Sequence, residues 1–165
     1  MRRPRPGPYL RPFVLGPLAG LVIAAPAAGQ EPRPLPILPD TVAYAALSQV
    51  PGVESKWLVG TAGTSGLYLF RNRFARGTRL PPHTHPDSRI AHVLSGTLYA
   101  GFGTAFDTTR LVAIPAGALF VAPAGTPHYA WARDGEVIFQ ETGVGPTATV
   151  MVGQNPGVFD IGAIF

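Results

Sequence analysis

The chain from Lys56 onward consists of short apolar runs, many with alternating apolar and polar side chains, separated by turn residues. The runs are KWLVG, GLYLFRNRF, RIAHVLSG, TLYAGFG, LVAIP, ALFVAP, HYAWA, EVIFQETG and TATVMVG. They recur roughly every 8 to 12 residues, a spacing typical of all-β sandwiches and barrels. No helical periodicity long enough to form a crossover interrupts them. The pattern therefore predicts one antiparallel barrel or double-sheet roll rather than a parallel α/β sheet.

The segments flanking these runs set the domain boundaries. Asp40 to Gln49 starts with a candidate helix cap, which predicts a short helix. The alternative for this segment is a strand or irregular structure. Before it, Glu31 to Pro39 holds four prolines in nine positions and reads as an extended linker. We therefore expect a linker over 30–39, a β-barrel domain over 40–153, and a loosely docked tail over 154–165.

The first 29 residues have the three-part layout of a secretory signal peptide. An arginine-bearing stretch up to Arg11 precedes an apolar stretch, Phe13 to Ala25, and then the small residues PAAGQ. Spanning a bilayer takes about 20 apolar residues, more than this stretch provides, so we expect no stable membrane span after cleavage. Cleavage is expected after Ala27 or at the Gly29 junction, giving a periplasmic or secreted protein. An N-terminus that is not processed is the alternative.

Composition and charge exclude several classes of protein. The 165 residues suit a single domain, and 46% hydrophobic against 13% charged residues excludes a disordered acidic chain. The net charge is +4, but four of the 13 basic residues lie in the first eleven positions, and from residue 31 onward 9 basic residues face 9 acidic ones. A neutral body gives no electrostatic basis for nucleic-acid binding. The chain has no cysteine, which excludes disulfides and thiolate sites.

The histidines carry the candidate chemistry. There are four, and two of them form His83-x-His85. In an extended segment these two side chains point the same way about 7 Å apart, a spacing that suits one metal ion between them. Two histidines on a solvated strand face are the alternative, and the pair alone does not distinguish the two interpretations.

Two longer motifs contain these histidines. The first is Gly77-x5-His83-x-His85-x3-Arg89-x6-Gly96, and the second is Gly117-x5-Pro123-x-Gly125-x2-His128. The pair resembles the two motifs of the cupin superfamily over about residues 66 to 152, and looks like small single-domain bacterial cupins with an export signal. The resemblance implies an antiparallel cupin β-barrel, or jelly roll, that holds a divalent metal ion at His83, His85 and His128. A metal-free barrel with hydrogen-bonded histidines is the alternative.

The chain departs from the cupin motifs at two positions. Arg89 stands where a cupin has a metal-binding glutamate, and Ala132 replaces an asparagine. A guanidinium cannot donate a lone pair to a cation, so that ligand is lost and at least one coordination position is left open. We expect Arg89 to act in catalysis as a clamp on a bound anion, to form a salt bridge at the barrel mouth, for example with Asp87, or to extend outward with its charged end in solvent. Asp87 as an oxygen ligand is a minority alternative.

Strand alternation separates the remaining candidates. If Arg89 points inward, His92 points outward, which favours a surface or sheet-packing role for His92 over metal binding. Aromatic residues are candidate cavity walls, although in a small barrel they are more often plain core. These residues are Tyr68, Phe70, Tyr99, Phe102, Phe120 and Phe139.

Two functions fit these features. The first is a mononuclear metalloenzyme of dioxygenase or isomerase type that acts on a small anionic or enolisable molecule. The second is a non-catalytic sensor or storage barrel in the cell envelope, favoured because no general base is evident and Asp87 is the only acidic residue near the motifs. Imidazole ligands suit Fe, Mn, Ni, Zn or Cu, so the identity of the metal stays open. A homodimer is expected on family grounds.

Overall fold

The computed structural model describes residues 36–47 and 50–153, together with the backbone of Val158–Phe159. The predicted signal peptide, most of the linker and most of the C-terminal tail lie outside these residues. A compact unit begins at Pro36. Within the described residues no helix is long and apolar enough to cross a membrane.

The described part of the chain is built from short strands. In chain order they are β1 Ala45–Ala46, β2 Val53–Val59, β3 Gly66–Phe74, β4 Arg79–Thr84, β5 Arg89–Ser95, β6 Thr97–Phe102, β7 Val112–Pro115, β8 Leu119–Ala122, β9 His128–Trp131, β10 Val137–Gly145, β11 Thr149–Met151 and β12 Val158–Phe159. Single 3₁₀ turns lie at Pro39–Thr41 and Thr108–Arg110. Residues 40–47, the described part of 40–49, form strand and irregular structure with one 3₁₀ turn rather than a short α-helix. Strand β12 lies inside the predicted tail.

The strands form two six-stranded sheets in which every pairing is antiparallel. The first sheet has the order β1-β2-β3-β10-β5-β8, and the second has the order β12-β11-β4-β9-β6-β7. Strands adjacent in space are often distant in sequence, as in a double-sheet roll. The prediction of an all-β antiparallel jelly roll is therefore confirmed.

Side-chain alternation explains why these runs become strands of a two-layer structure. In β5, Arg89, Ala91 and Val93 are buried, whereas Ile90 and Leu94 are exposed. The buried faces of the two sheets meet in one apolar core. Its buried members are Val53, Phe74, Ala91, Val93, Leu98, Ala100, Ile114, Ala130, Ala132, Val137 and Phe139. The structure places Arg89 inward. For that orientation of Arg89 the alternation predicts His92 on the other face, and His92 is partly exposed there.

Candidate metal centre

Three of the four histidines converge between the sheets. His83, His85 and His128 are each 4% exposed or less. Each offers one ring nitrogen, and the three nitrogens lie within 4.8 Å of one another. The ring centroids are 4.9 Å apart for His83 and His85, 4.3 Å for His83 and His128, and 5.0 Å for His85 and His128. The structure thus brings together the three residues that the motifs select.

Strand pairing accounts for this convergence. β4 and β9 are neighbours in the second sheet, and their register places His83 directly opposite His128. A register shift between Leu80 and His83 coincides with Pro81 and Pro82, which have no N–H to donate to a partner strand. His85 follows the end of β4 and lies on the same face as His83, as alternation requires.

A turn ahead of β9 connects the two motifs. The Gly125 N–H donates to the His85 carbonyl oxygen at 2.8 Å, and the Thr126 N–H donates to the Pro123 carbonyl oxygen at 3.2 Å. Gly125 has φ +68, a conformation that side chains with a Cβ rarely adopt. The glycine in the second motif therefore fixes the backbone that carries His85 as well as the turn that presents His128.

Backbone carbonyls orient all three imidazoles. Nδ1 of His83, His85 and His128 lies 2.7, 2.8 and 2.9 Å from the carbonyl oxygens of Pro81, Ala148 and Thr126. A carbonyl only accepts, so Nδ1 must carry the hydrogen and Nε2 must hold a free lone pair. The His85 Nε2 is buried and has no hydrogen-bond partner among the described residues. This arrangement fits a bound metal ion, because a metal would satisfy nitrogen atoms that are otherwise unpartnered.

Burial keeps the imidazoles neutral. It lowers the pKa of His83 to about 3 and that of His85 to about 2, with further contributions from neighbouring positive charges. Burial also lowers the pKa of His128. Neutral imidazoles are the form that binds metal ions, so no proton has to leave these rings near neutral pH.

A cavity of about 70 Å³ adjoins the histidines. One water molecule needs about 10 to 15 Å³ on this measure, so the cavity has room for several waters or one small organic molecule. Side chains from both sheets line it, and most are apolar. They are Leu47, Val50, Val53, Phe70, Asn72, Phe74, Leu80, His83, His85, Ala91, Leu98, Ala100, Phe120, His128, Ala130, Phe139, Glu141, Thr149 and Met151.

Arg89 is buried behind this cavity and does not line it. Its side chain has no exposed surface, and NH2 donates to Asp87 Oδ1 at 3.1 Å and to the Thr147 hydroxyl. NH1 lies 3.8 Å from Glu141 Oε2. The salt bridge with Asp87 is one of the alternatives predicted for Arg89, and the absence of exposed surface excludes a side chain that extends into solvent. A role as a clamp would depend on Nε and NH1, which have no hydrogen-bond partner among the described residues.

Asp87 belongs to the Arg89 network rather than to the histidine group. Its carboxylate accepts hydrogen bonds from Tyr68 and Thr147 as well as from Arg89. Burial alone would raise the pKa of Asp87, but these hydrogen bonds and the charge of Arg89 outweigh it and lower the pKa below its usual range. The structure therefore gives Asp87 three protein partners and places it outside the cluster of candidate ligands.

Glu141 is the functional candidate that the sequence reasoning missed. It lies in β10 and lines the cavity, although it is 13 positions beyond the second motif. The signal was present in the run EVIFQETG, because Val137, Phe139 and Glu141 alternate onto one face and the first two belong to the core. Burial raises the pKa of Glu141, and the charge of Arg89 and a hydrogen bond from Asn72 offset this in part.

Other predicted residues divide between the cavity and the rest of the barrel. His92 faces away from the cavity and is not part of the histidine group. Phe70, Phe120 and Phe139 line the cavity as expected. Tyr68, Tyr99 and Phe102 do not line it.

Comparison with known proteins gives a family match and more distant relatives. A family model described as cupin matches residues 48–162. Germin-like protein 1-1 of Oryza sativa subsp. japonica is 33% identical over 112 residues, which cover 67% of this chain and 44% of that protein. The chain spans no more than about half the length of the first curated relatives that it matches. These relatives are plant proteins, so a bacterial origin stays a prediction.

Solved structures share the architecture at low sequence identity. KdgF from Halomonas sp. superposes with a TM-score of 0.53 at 22% identity, covering 65% of this chain and 91% of that one. A mutant of salicylate 1,2-dioxygenase from Pseudoaminobacter salicylatoxidans, solved in complex with gentisate, superposes with a TM-score of 0.52 at 17% identity, covering 63% and 30%. At these identities the likeness extends to the fold alone.

Proposed function

Because the chain belongs to the cupin family, we propose that it holds a divalent first-row metal ion at His83, His85 and His128. Such an ion would supply its chemistry to a small molecule bound in the adjoining cavity. The observation that carries this proposal is the orientation of the three buried imidazoles, each with Nδ1 at a backbone carbonyl and each contributing to one nitrogen cluster. Such carbonyl contacts fix the tautomer and direction of metal-binding histidines.

The ligand set favours an anionic or oxygen-bearing guest. Three neutral imidazoles leave the charge of a divalent ion uncompensated and at least one coordination position open. Imidazole nitrogen suits Fe, Ni, Zn and Cu, and Mn is also a candidate. When bound, the ion would supply Lewis-acid polarisation of an oxygen-containing group or activation of dioxygen.

The residues of the chain supply position and surroundings. The phenylalanines and aliphatic side chains of the cavity exclude bulk water and limit the guest to a small molecule. Glu141 and Asn72 provide a polar patch in an otherwise apolar wall. Arg89 lies behind Glu141, where it balances charge and positions that carboxyl group. We propose oxidation or isomerisation of a small anionic or enolisable molecule as the reaction class.

Metal analysis of single-histidine variants tests the metal site. We expect the purified chain to retain close to one equivalent of a first-row metal, or to take it up on addition of Fe(II), Mn(II), Ni(II), Zn(II) or Cu(II). His85→Ala should lose most of this affinity, because a two-imidazole site remains. The measurements are metal content by plasma mass spectrometry and titration of the metal-free protein.

His92→Ala is the matched control for that experiment. His92 lies outside the cluster, so its removal should leave metal content unchanged. Equal metal binding by wild type, His85→Ala and His92→Ala would mean that the ion is held elsewhere, and the proposed site would be abandoned.

A non-catalytic sensor or storage barrel remains the second candidate. It shares the metal site and differs only in turnover. The argument from sequence in its favour was the lack of an acidic residue other than Asp87, and Glu141 in the cavity wall removes that argument. Oxygen consumption and product formation on diketones, flavonoids and thiol acids separate the two, because a binder saturates without forming product.

We also propose that the chain is exported to the periplasm or secreted. The support is the arginine-bearing, apolar and small-residue order of the first 29 residues. Expression in a bacterium followed by intact-mass analysis should give a mature chain that begins at Ala28 or Gln30. An uncleaved chain in the cytoplasm would contradict the proposal.

A homodimer is our proposal for the assembly. Exposed apolar side chains of β5 and β8 support it, because Ile90 and Val121 are cross-strand neighbours that are 47% and 56% exposed. Size-exclusion chromatography with light scattering should report twice the mass of one chain. A single-chain mass at micromolar concentration would contradict it.

A further inference from the structure

The cavity wall carries a carboxyl group, that of Glu141, which the metal site does not use. Among the described residues that line the cavity, no other is acidic. The carboxyl is not part of the histidine cluster, and its side chain is 13% exposed. A buried carboxyl in an apolar cavity is costly to maintain, so its surroundings indicate what it can do.

One oxygen of Glu141 is held by the protein. Oε2 accepts a hydrogen bond from Asn72 Nδ2 at 3.1 Å, and Asn72 Oδ1 accepts one in turn from the Ser55 hydroxyl. The same oxygen lies 3.8 Å from NH1 of Arg89. These contacts come from strands on either side of β10 and fix the carboxyl in position.

The other oxygen of Glu141 is available to a molecule bound in the cavity. Oε1 has no hydrogen bond to any described residue, although the carboxyl lines the cavity. A carboxylate oxygen has room for further hydrogen bonds, and the apolar walls offer no alternative partner for a polar hydrogen of a bound molecule. Oε1 is therefore placed to accept a proton or a hydrogen bond from that molecule.

The charged groups near Glu141 favour proton transfer to its carboxylate. Arg89 NH2 is bonded to Asp87 and Thr147, so part of the positive charge of Arg89 is already compensated. Burial raises the pKa of Glu141 above its ordinary value, and a carboxylate with a raised pKa is a stronger base than one in water. This shift supports the geometric argument and does not replace it.

On the basis of the proposed function, we propose that Glu141 is a catalytic proton acceptor for a small enolisable oxoacid in this cavity. Glu141 Oε1 takes a proton from the carbon next to the carbonyl. The C–H bond breaks, an O–H bond forms on Oε1, and the electron pair moves into the enolate. Return of the proton to carbon completes an isomerisation or an exchange, so no oxidant or other co-reactant is needed.

The size and polarity of the cavity define this substrate class. A volume of about 70 Å³ admits a molecule such as pyruvate or 2-oxobutyrate and excludes a sugar chain or a polycyclic compound. The imidazole cluster provides the electropositive end for the carboxylate and carbonyl oxygens when a metal ion is bound. Glu141 and the apolar walls face the remaining carbon atoms.

Hydrogen–deuterium exchange of pyruvate and 2-oxobutyrate tests the proposal. The protein as purified is incubated with each oxoacid in D₂O, and proton NMR follows loss of the signal from the carbon next to the carbonyl. We expect Glu141→Gln to slow exchange by about 100-fold or more, because it keeps the shape of the side chain but cannot accept the proton. Saturation-transfer NMR should show that this variant still binds each oxoacid.

Two further variants serve as the control and the fallback for this experiment. Glu136→Gln removes an exposed glutamate near the start of the same strand and should leave exchange unchanged. If Glu141→Gln does not fold, Glu141→Asp must itself slow exchange by about tenfold, because it withdraws the carboxyl by one methylene group. Exchange by Glu141→Gln at the wild-type rate overturns the proposal, and so does a wild-type rate no faster than that of the oxoacid alone.

Metal content measured on the same samples separates this proposal from the proposed metal site. Equal metal content in wild type and Glu141→Gln, with exchange lost only in the variant, supports both proposals. Wild type without metal contradicts the metal site, and the ratio of exchange rates still decides the role of Glu141. Loss of metal in Glu141→Gln would show that the carboxyl supports the metal site, and the assignment as proton acceptor would be withdrawn.

Discussion

The guanidinium of Arg89 has no exposed surface and faces two carboxyl groups, those of Asp87 and Glu141. Asp87 provides the closer ion pair and also accepts hydrogen bonds from Tyr68 and Thr147. Gly143 lies against the same group, because a Cβ at this position would clash with the Tyr68 hydroxyl and the Asp87 carboxylate. A buried ion pair of this kind contributes little net stability, but removing one partner is strongly destabilising.

Arg89→Met should destabilise the metal-free protein by about 3 kcal/mol, because Asp87 is left as a buried charge without its cation. Urea unfolding at neutral pH measures this loss. Arg133→Met is the control, since Arg133 pairs with Asp134 at an exposed site and its removal should leave stability close to that of wild type. Adding Asp87→Asn to Arg89→Met should recover part of the loss. Equal losses in the Arg89 and Arg133 variants would contradict the burial argument.

Glu141 should make stability depend on pH. Burial raises its pKa in the folded state, so between the ordinary glutamate value and the raised value only the folded chain holds the proton. The free energy of unfolding therefore falls as pH rises through this window. The charges that face the carboxyl are those of Arg89 and Asp87, and both persist in the variant. Relative to wild type, Glu141→Gln should gain stability as pH rises above the ordinary pKa of glutamate, about 4.5, in metal-free urea unfolding. A constant difference between the two proteins would contradict the raised pKa.

At the scale of elements, the pairing of β4 with β9 and the turn before β9 create the histidine cluster. The pairing sets His83 opposite His128, and the turn ties the Gly125 amide to the His85 carbonyl. His85 lies beyond the end of β4. Its position therefore depends on this backbone hydrogen bond and on the hydrogen bond between its ring Nδ1 and the Ala148 carbonyl oxygen. The geometry of the cluster is therefore sensitive to a turn that itself contributes no candidate ligand.

Gly125→Ala should weaken metal binding by about tenfold, since displacement of the His85 carbonyl moves a candidate ligand. It should also lower stability by about 1 kcal/mol, because φ +68 is unfavourable for alanine. Gly117→Ala is a matched control, with φ +86, an amide bonded to the Val93 carbonyl at 2.8 Å, and open space at the Cβ position. It should show a similar stability loss with unchanged metal affinity. Equal losses of metal affinity in Gly125→Ala and Gly117→Ala would indicate a general response to a destabilised backbone and not a specific effect of the turn at Gly125.

At the scale of the described domain, both sheets enclose the cavity while the second sheet and its connections carry the histidines. β4 supplies His83, the residue after β4 supplies His85, and β9 supplies His128. The first sheet contributes Phe70, Asn72 and Glu141 from the opposite side. Metal binding would thus cross-link segments that are brought together only by folding, and it should stabilise the folded state as a whole.

Free metal at 100 times its dissociation constant should raise the free energy of unfolding by about 2.7 kcal/mol, provided that the unfolded chain does not bind it. Urea unfolding with added metal and with a chelator measures the difference. His128→Ala should abolish most of the gain, whereas His92→Ala should retain it. A gain of the same size in His128→Ala would show that the metal stabilises the protein from another site.

The sequence by itself determined the strand class, which neighbouring residues of a strand share a face, and the identity of the candidate ligands. These properties are local, because alternation in an extended chain fixes which neighbours share a face. Alternation thus placed Arg89 and His92 on opposite faces of one strand, and His83-x-His85 placed two imidazoles on the same face. The same rule applied to β10 would have directed Glu141 inward, but a single run does not show which cavity or partner a side chain meets.

Tertiary structure alone decided which distant residues meet. His128 lies more than forty positions from His83, and only the pairing of β4 with β9 brings them face to face. The partners of Arg89 and the place of Glu141 beside the cavity depend in the same way on sheet order and on the register of β10 between β3 and β5. Register and sheet order result from packing the whole core, because each strand can satisfy its own alternation beside many different neighbours.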